Sequence, residues 1–278
     1  MAPSLLRREG RRAFGRDPAG YARYRLPYPR RVREILERRC GLAPGAAVFE
    51  IGPGPGVASR ILLRAGADPL CAIEPDPRLA RYLDVSLRAA RPRVLIVNTP
   101  FEEAVLPEGL FDLGVAATSF HWVNEHRALP KIARLLRPGG WWAMWWNRHG
   151  DPERPTEFQR ATMAIWGSRP SRYEQWVRDS RRQMREEVRR RLRHLRATGR
   201  FDRIAYEAIR SEVDLTAHEV RGLYGTFGEV GKMPLRARTR FLDAIERVAR
   251  VEFGGTVRLT TVTPIYTARR RPDDAPRP

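Results

Sequence analysis

The run Glu50-Ile51-Gly52-Pro53-Gly54-Pro55-Gly56 constrains this chain more than any other segment. It follows Ala47 to Ile51, a short apolar stretch that reads as a strand. It precedes Val57 to Ala65, where the leucines and Ile61 fall at helical spacing. Strand, glycine turn, helix is the setting of a ligand-binding loop. Glycines let the backbone turn sharply and approach a ligand, and the helix behind them points free N–H groups at it. Position 57 is valine, so the dinucleotide spacing GxGxxG lacks its third glycine, and no Gly-Lys-Ser/Thr follows as a phosphate loop requires. Glu50 stands directly before the glycines, where it would repel a pyrophosphate but can hold an ammonium. Glu74 ends the next apolar run, Leu70 to Ile73, 22 residues beyond Gly52. A carboxylate there can accept hydrogen bonds from both ribose hydroxyls.

The alternation continues. Pro77 opens a helix to about Ala90, Val94 to Val97 is a third strand and Leu113 to Ala117 a fourth. Glu125 to Leu136 is a helix that stops before Pro138-Gly139-Gly140, and Trp141 to Trp146 is a fifth strand. Residues 150 to 200 hold no strand-like run. From Arg178 to Arg200 they carry ten arginines against Asp179, Glu186 and Glu187, with Val188, Leu192 and Leu195 as an apolar stripe. This reads as an inserted helical cap. Arg203 to Leu215 is a strand, Thr216 can cap a helix with Glu219 in a capping box, Leu235 to Arg250 is a helix, and Thr256 to Ala268 is the last strand. The fold class is therefore α/β: a Rossmann-like seven-stranded, mostly parallel sheet with helices on both faces and an inserted helical cap. The organisation expected is an N-terminal helical segment (1–40), a binding core (41–149), the cap (150–200), the C-terminal part of the core sheet (201–270) and a disordered tail (271–278).

With 278 residues and 42% hydrophobic content the chain can bury one large core. No stretch is long and apolar enough to span a membrane, and Met1 to Asp17 lacks the apolar core of a signal peptide, so a cytoplasmic location is expected. Cys40 and Cys71 show no metal-ligand spacing, so neither a disulfide scaffold nor a metal site is expected. The net charge of +20 suits an acidic ligand or a polynucleotide. Only Lys131 and Lys232 are lysines, however, and so strong an arginine skew also reads as compositional habit on a solvated surface.

VFEIGPGPG resembles motif I of class I S-adenosylmethionine-dependent methyltransferases, CAIEPDPRLA the ribose-binding segment that follows it, and LLRPGGWWAMWW the turn before their fifth strand. FDLGVAATSFHWV resembles the fourth-strand region of a Phe-His-Trp subgroup similar to trans-aconitate-type small-molecule methyltransferases. YARYRLPYP resembles that subgroup's N-terminal segment. The resemblance implies S-adenosylmethionine as cofactor. Glu50, Gly52, Pro53, Gly54 and Gly56 would border its methionine moiety and Glu74 its ribose. Pro75 and Asp76 would flank the adenosine, and Phe101 and Glu102 would lie near the adenine. Ser119 and Phe120 would line the methyl-transfer end. Tyr21, Tyr24 and Arg25 would fold over the cofactor. Relatives often carry an aspartate after the third strand, where this chain has Thr99-Pro100.

His121, at the carboxyl edge of the fourth strand, is the candidate for an acid–base or substrate-orienting role. A carboxylate acceptor needs no base, and a backbone hydrogen bond is the competing reading. Tyr28, Trp122, Trp146 and His149 are the substrate-pocket candidates. The expected function is methylation of a small molecule, at a carboxylate or hydroxyl, with a peptide carboxylate as a variant. A nucleic-acid methyltransferase is the rival, but Thr118 to Trp122 stand where enzymes that methylate exocyclic amines carry [DN]PP[YF]. A non-methylating protein on this scaffold is the third reading.

Overall fold

The computed structural model describes residues 18–90, 93–167 and 172–272. In chain order the helices are α1 (Pro18–Tyr24), α2 (Arg30–Arg39), α3 (Val57–Arg64), α4 (Pro77–Ser86), α5 (Glu125–Leu135), α6 (Glu157–Thr162), α7 (Tyr173–Ala197), α8 (Ala217–Gly225), α9 (Gly228–Gly231) and α10 (Leu235–Val251). The strands are β1 (Val48–Ile51), β2 (Leu70–Ile73), β3 (Val94–Val97), β4 (Phe111–Ala117), β5 (Leu136–Trp145), β6 (Arg148–His149), β7 (Phe201–Thr216) and β8 (Thr256–Arg270). Residues 1–17 of the N-terminal segment and 273–278 of the expected tail lie outside the described residues.

The sheet order is β3-β2-β1-β4-β5-β8, with β8 then pairing both β6 and β7. The pairs from β3 to β5 are parallel, while β8 runs antiparallel to its three neighbours. Every residue of β1 and β2 is buried, as central parallel strands with both faces covered require. The chain leaves β1 toward β2 and β3, then returns to β4 on its other side. That reversal opens a crevice at the carboxyl ends of β1 and β4.

One face of the sheet packs Phe49, Phe120, Trp142, Tyr266 and Leu195 into a core under α5 and α7. The other packs Val48, Leu70, Leu113 and Trp145 under α2 and α3. The period-2 alternation of a strand distributes the tryptophans: Trp142 and Trp146 face the first core, Trp141 and Trp145 the second. A third cluster joins α8 and α10 to Phe158 and the ends of β7 and β8. The Thr216–Glu219 capping box forms as expected.

The sheet has eight hydrogen-bonded strands where seven were expected. The extra one is β6, two residues beyond β5 that pair with Val262 and Thr261 of β8. So short a strand has no alternation by which a sequence could reveal it. β5 also begins at Leu136, so the Pro-Gly-Gly turn lies inside it, beside a register shift opposite Phe111 and Leu113. α7 lies along β7, with Val188, Leu192 and Leu195 against the first core.

Gly114 shows how closely the central strands pack: a Cβ there would lie 2.2 Å from the Phe49 ring. Gly114→Ala is expected to cost about 1–3 kcal/mol by overpacking, read as a lower denaturation midpoint with an unchanged m-value.

Candidate functional site

A cleft of about 1170 Å³, its open mouth included, lies at the carboxyl ends of β1, β2 and β4. The β1 end builds its floor. Gly52 and Gly54 take positive φ of 64° and 56°. A Cβ on Gly52 would strike Ser119, so that glycine lets β1 and β4 close on each other. A Cβ on Gly54 would meet nothing within 4 Å, so that glycine borders the open space.

Glu50 is fully buried. Its Oε2 accepts a hydrogen bond from Ser59 Oγ at 2.6 Å, and its Oε1 has no partner in the protein. Burial raises its pKa to about 7; the Ser59 hydrogen bond opposes the shift and the nearby Glu74 charge adds to it. An uncompensated buried carboxylate oxygen is costly unless a ligand donates to it. Glu74 sits on the neighbouring strand end. Its two oxygens accept from the backbone N–H groups of Gly54 and Asp76, each at 2.9 Å, which ties the first two strand–helix turns together.

The opposite wall comes from the N-terminal segment and from the turn after β4. Tyr28 and Thr118 share a hydrogen bond of 2.8 Å between their hydroxyls. Thr118 has φ 59°, a costly conformation for a β-branched residue, and its N–H is held by Trp145 O at 2.7 Å. Arg25 lines the cleft and is pinned from behind. Its Nη1 donates to His149 Nε2 at 2.9 Å and its Nη2 to Thr226 O at 3.2 Å, and its guanidinium lies over the Tyr21 and Phe227 rings. Because guanidinium only donates, His149 must accept at Nε2 and carry its proton on Nδ1. Burial, then the Arg25 charge, lowers the His149 pKa to about 3.

His121 reaches into the cleft beside Trp122, with ring centroids 4.7 Å apart. It is exposed, and desolvation by the flanking protein, with the Arg191 and Arg25 charges adding, lowers its pKa to about 4.

The cleft brings together Tyr21, Arg25, Tyr28, Glu50, Gly52, Pro53, Gly54, Glu74, Pro75, Phe101, Glu102, Ser119, His121 and Trp122. The other candidates lie elsewhere. Tyr24 bonds His218 at 3.0 Å and anchors α1 on α8. Gly56 faces Leu83. Asp76 caps α4 through the Arg78 N–H. Phe120 is buried against Trp142. Trp146 stacks on Tyr266 under Arg191. His149 stands behind Arg25. No described residue of 150–200 lines the cleft.

Sequence reasoning missed several contributors, four of which matter most. Leu79 and Val123 supply apolar lining from the first turn of α4 and the turn after β4. Thr118 joins them through a backbone conformation that no sequence pattern reveals. Arg191, 3% exposed and paired with Glu125, was hidden among ten arginines. Its step of four from Leu195 places it on the buried face of α7, a signal that a helical reading could have used.

Residues 49–144 match a family described as a methyltransferase domain. An uncharacterized methyltransferase of Mycobacterium tuberculosis is 36% identical over 143 residues, 51% of this chain and 54% of the relative. The chain thus spans about half the length of the curated relatives it matches at this level. An uncharacterized methyltransferase-like protein of Schizosaccharomyces pombe is 21% identical over 94% of this chain and 96% of its own length. Among solved structures, one assigned provisionally as a type II methyltransferase from Anaeromyxobacter dehalogenans superposes with a TM-score of 0.58 at 21% identity, covering 90% of this chain and 99% of that one. The two share a Rossmann-like α/β fold.

Tyr28→Phe removes the hydroxyl that restrains Thr118. It is expected to lower stability by about 1 kcal/mol in denaturant titration.

Proposed function

We propose that this chain transfers a methyl group from S-adenosylmethionine to an anionic small molecule, at a carboxylate or another acidic oxygen, with a peptide's carboxylate as a variant. One observation carries the reading: the orphaned oxygen of a fully buried acid, Glu50, beside the open space at Gly54. An ammonium-bearing ligand satisfies both. S-adenosylmethionine supplies the methyl group already activated on a sulfonium. The match of residues 49–144 to a methyltransferase domain supports the cofactor, and the residue roles are the proposal.

Glu50 would accept from the cofactor's ammonium, and Glu74, at the end of the next strand, would face the ribose hydroxyls. Pro75, Leu79 and Phe101 form an apolar wall suited to the adenine. His121, Trp122, Tyr28 and Arg25 would hold the acceptor. The fixed guanidinium of Arg25 favours an anion, and the buried Arg191 adds positive potential near His121. A neutral imidazole with a pKa near 4 is a weak base, so we assign His121 to orienting the acceptor rather than deprotonating it. An anionic oxygen needs no base, and what the site must do is align it and exclude water.

Calorimetry tests the cofactor. S-adenosylmethionine should bind saturably, and Gly54→Arg and Glu74→Ala should each weaken binding at least ~10-fold, about 1.4 kcal/mol. Absence of binding to the folded wild type would sink the reading.

The Glu50 shift gives binding a pH dependence. The free protein holds Glu50 protonated below about pH 7, and a cation requires the carboxylate. Affinity should therefore fall as pH drops through 7 and level off above it, and Glu50→Gln should bind weakly with no such dependence. In the free protein the same raised pKa favours the folded state at low pH, and that contribution is lost as pH rises from about 4.5 to about 7.

Methyl incorporation across a panel of carboxylates, phenols and amines identifies the acceptor class. His121→Asn should lower kcat/KM by less than ~100-fold, mainly through KM, since loss of a general base costs about 100-fold or more. Incorporation confined to amines would overturn the oxygen assignment.

A further inference from the structure

We propose that one exposed face of α7 is a docking surface for the phosphate backbone of double-stranded nucleic acid, separate from the cleft. Arg178, Arg182, Arg185, Arg189, Arg193 and Arg196 step along the helix by four, three, four, four and three residues. At about 100° per residue these steps keep all six within an arc of roughly 80°. All six are exposed. They form a straight row about 27 Å long at 1.5 Å per residue.

The row differs from the other arginines of the same helix. Arg181 pairs with Glu153, Arg190 with Glu187 and Arg191 with Glu125. In the row, among the described residues, only Arg182 meets an acid, Asp179 at 3.1 Å. Glu174 and Glu186 flank the arc without breaking it. Like charges three and four residues apart destabilise a helix, and this row contains five such steps in succession. An external polyanion would relieve that repulsion along its whole length.

The composition of the arc favours one occupant. No aromatic residue lies within it; Trp176 points about 140° away, so the row has no platform for stacking unpaired bases. The nearest apolar residue, Leu192, lies about 20° outside the arc and is half-buried against the core, so nothing is available to enter a lipid surface. Guanidinium forks fit phosphate oxygens, and a duplex presents a straight, dense line of them. None of the six lines the cleft, so the surface holds a polynucleotide without making it the methyl acceptor.

The test is fluorescence anisotropy of the full chain with labelled duplexes of about 20 base pairs, one DNA and one RNA, across a salt series. For six contacts the slope of log K against log salt should approach about −5. The triple variant Arg185→Glu, Arg189→Glu, Arg193→Glu should bind at least ~10-fold more weakly at 100 mM salt, with the slope reduced by about three. A charge-matched control on α10, Arg236→Glu, Arg240→Glu, Arg247→Glu, should lose less than about twofold. The neutral variant Arg185→Gln, Arg189→Gln, Arg193→Gln removes repulsion within the helix and should give the same ordering. Equal losses in the row and control variants would show diffuse attraction and overturn the proposal. So would no duplex binding at low salt, or tighter binding to a single strand or to phosphatidylserine vesicles. S-adenosylmethionine titration should be unchanged in every variant, which keeps this test independent of the cleft.

Discussion

The site depends on how β1 can end. It is the central parallel strand, flanked by β2 and β4, and the chain must turn away from it between two neighbours that hold their own turns at the same level. Glu74 joins two of these turns by accepting the Gly54 and Asp76 N–H groups. Ser119 joins the third by donating to the Ile51 carbonyl. A side chain at position 52 would collide with Ser119, so the convergence is available only to glycine there. Glu50 lies buried at the base of the cleft with one unmet oxygen, the most specific chemical feature there.

The charged groups divide into two regimes. Around the cleft, burial lifts the Glu50 pKa and lowers that of His149, while Arg25 lies among aromatic rings. On the surface, solvent screens most arginines and their ion pairs add little. The α7 row stands apart through its order rather than the strength of any single contact, because aligned charges act together on a polyanion.

His149 shows how a strand too short to read organises function. Arg148 and His149 pair with β8 just beyond the core sheet, and the imidazole there accepts from Arg25 while stacking on Phe227. One ring connects the N-terminal segment, the sheet edge and the turn after α8. Arg25 is held over the cleft by contacts on its far side.

Periodicity and turn chemistry determined much of this protein. The glycine loop, Glu50 and Glu74 at successive strand ends, the order of strands and helices and the Thr216 capping box follow from local rules that operate within a few residues. Eleven of the fourteen candidates in the cleft do so because strand ends at a switch point share one edge, and Tyr21, Arg25 and Tyr28 reach it from the N-terminal segment. Other features needed the folded chain, since they arise between residues distant in sequence. Gly56, Asp76 and Phe120 belong to the same motifs yet turn toward α4 or the core, because one residue of displacement on a tight turn reverses a side chain's direction. Thr118 takes its strained φ only with Tyr28 and Trp145 in place. The raised pKa of Glu50 comes mainly from the water its neighbours exclude, and only packing sets that.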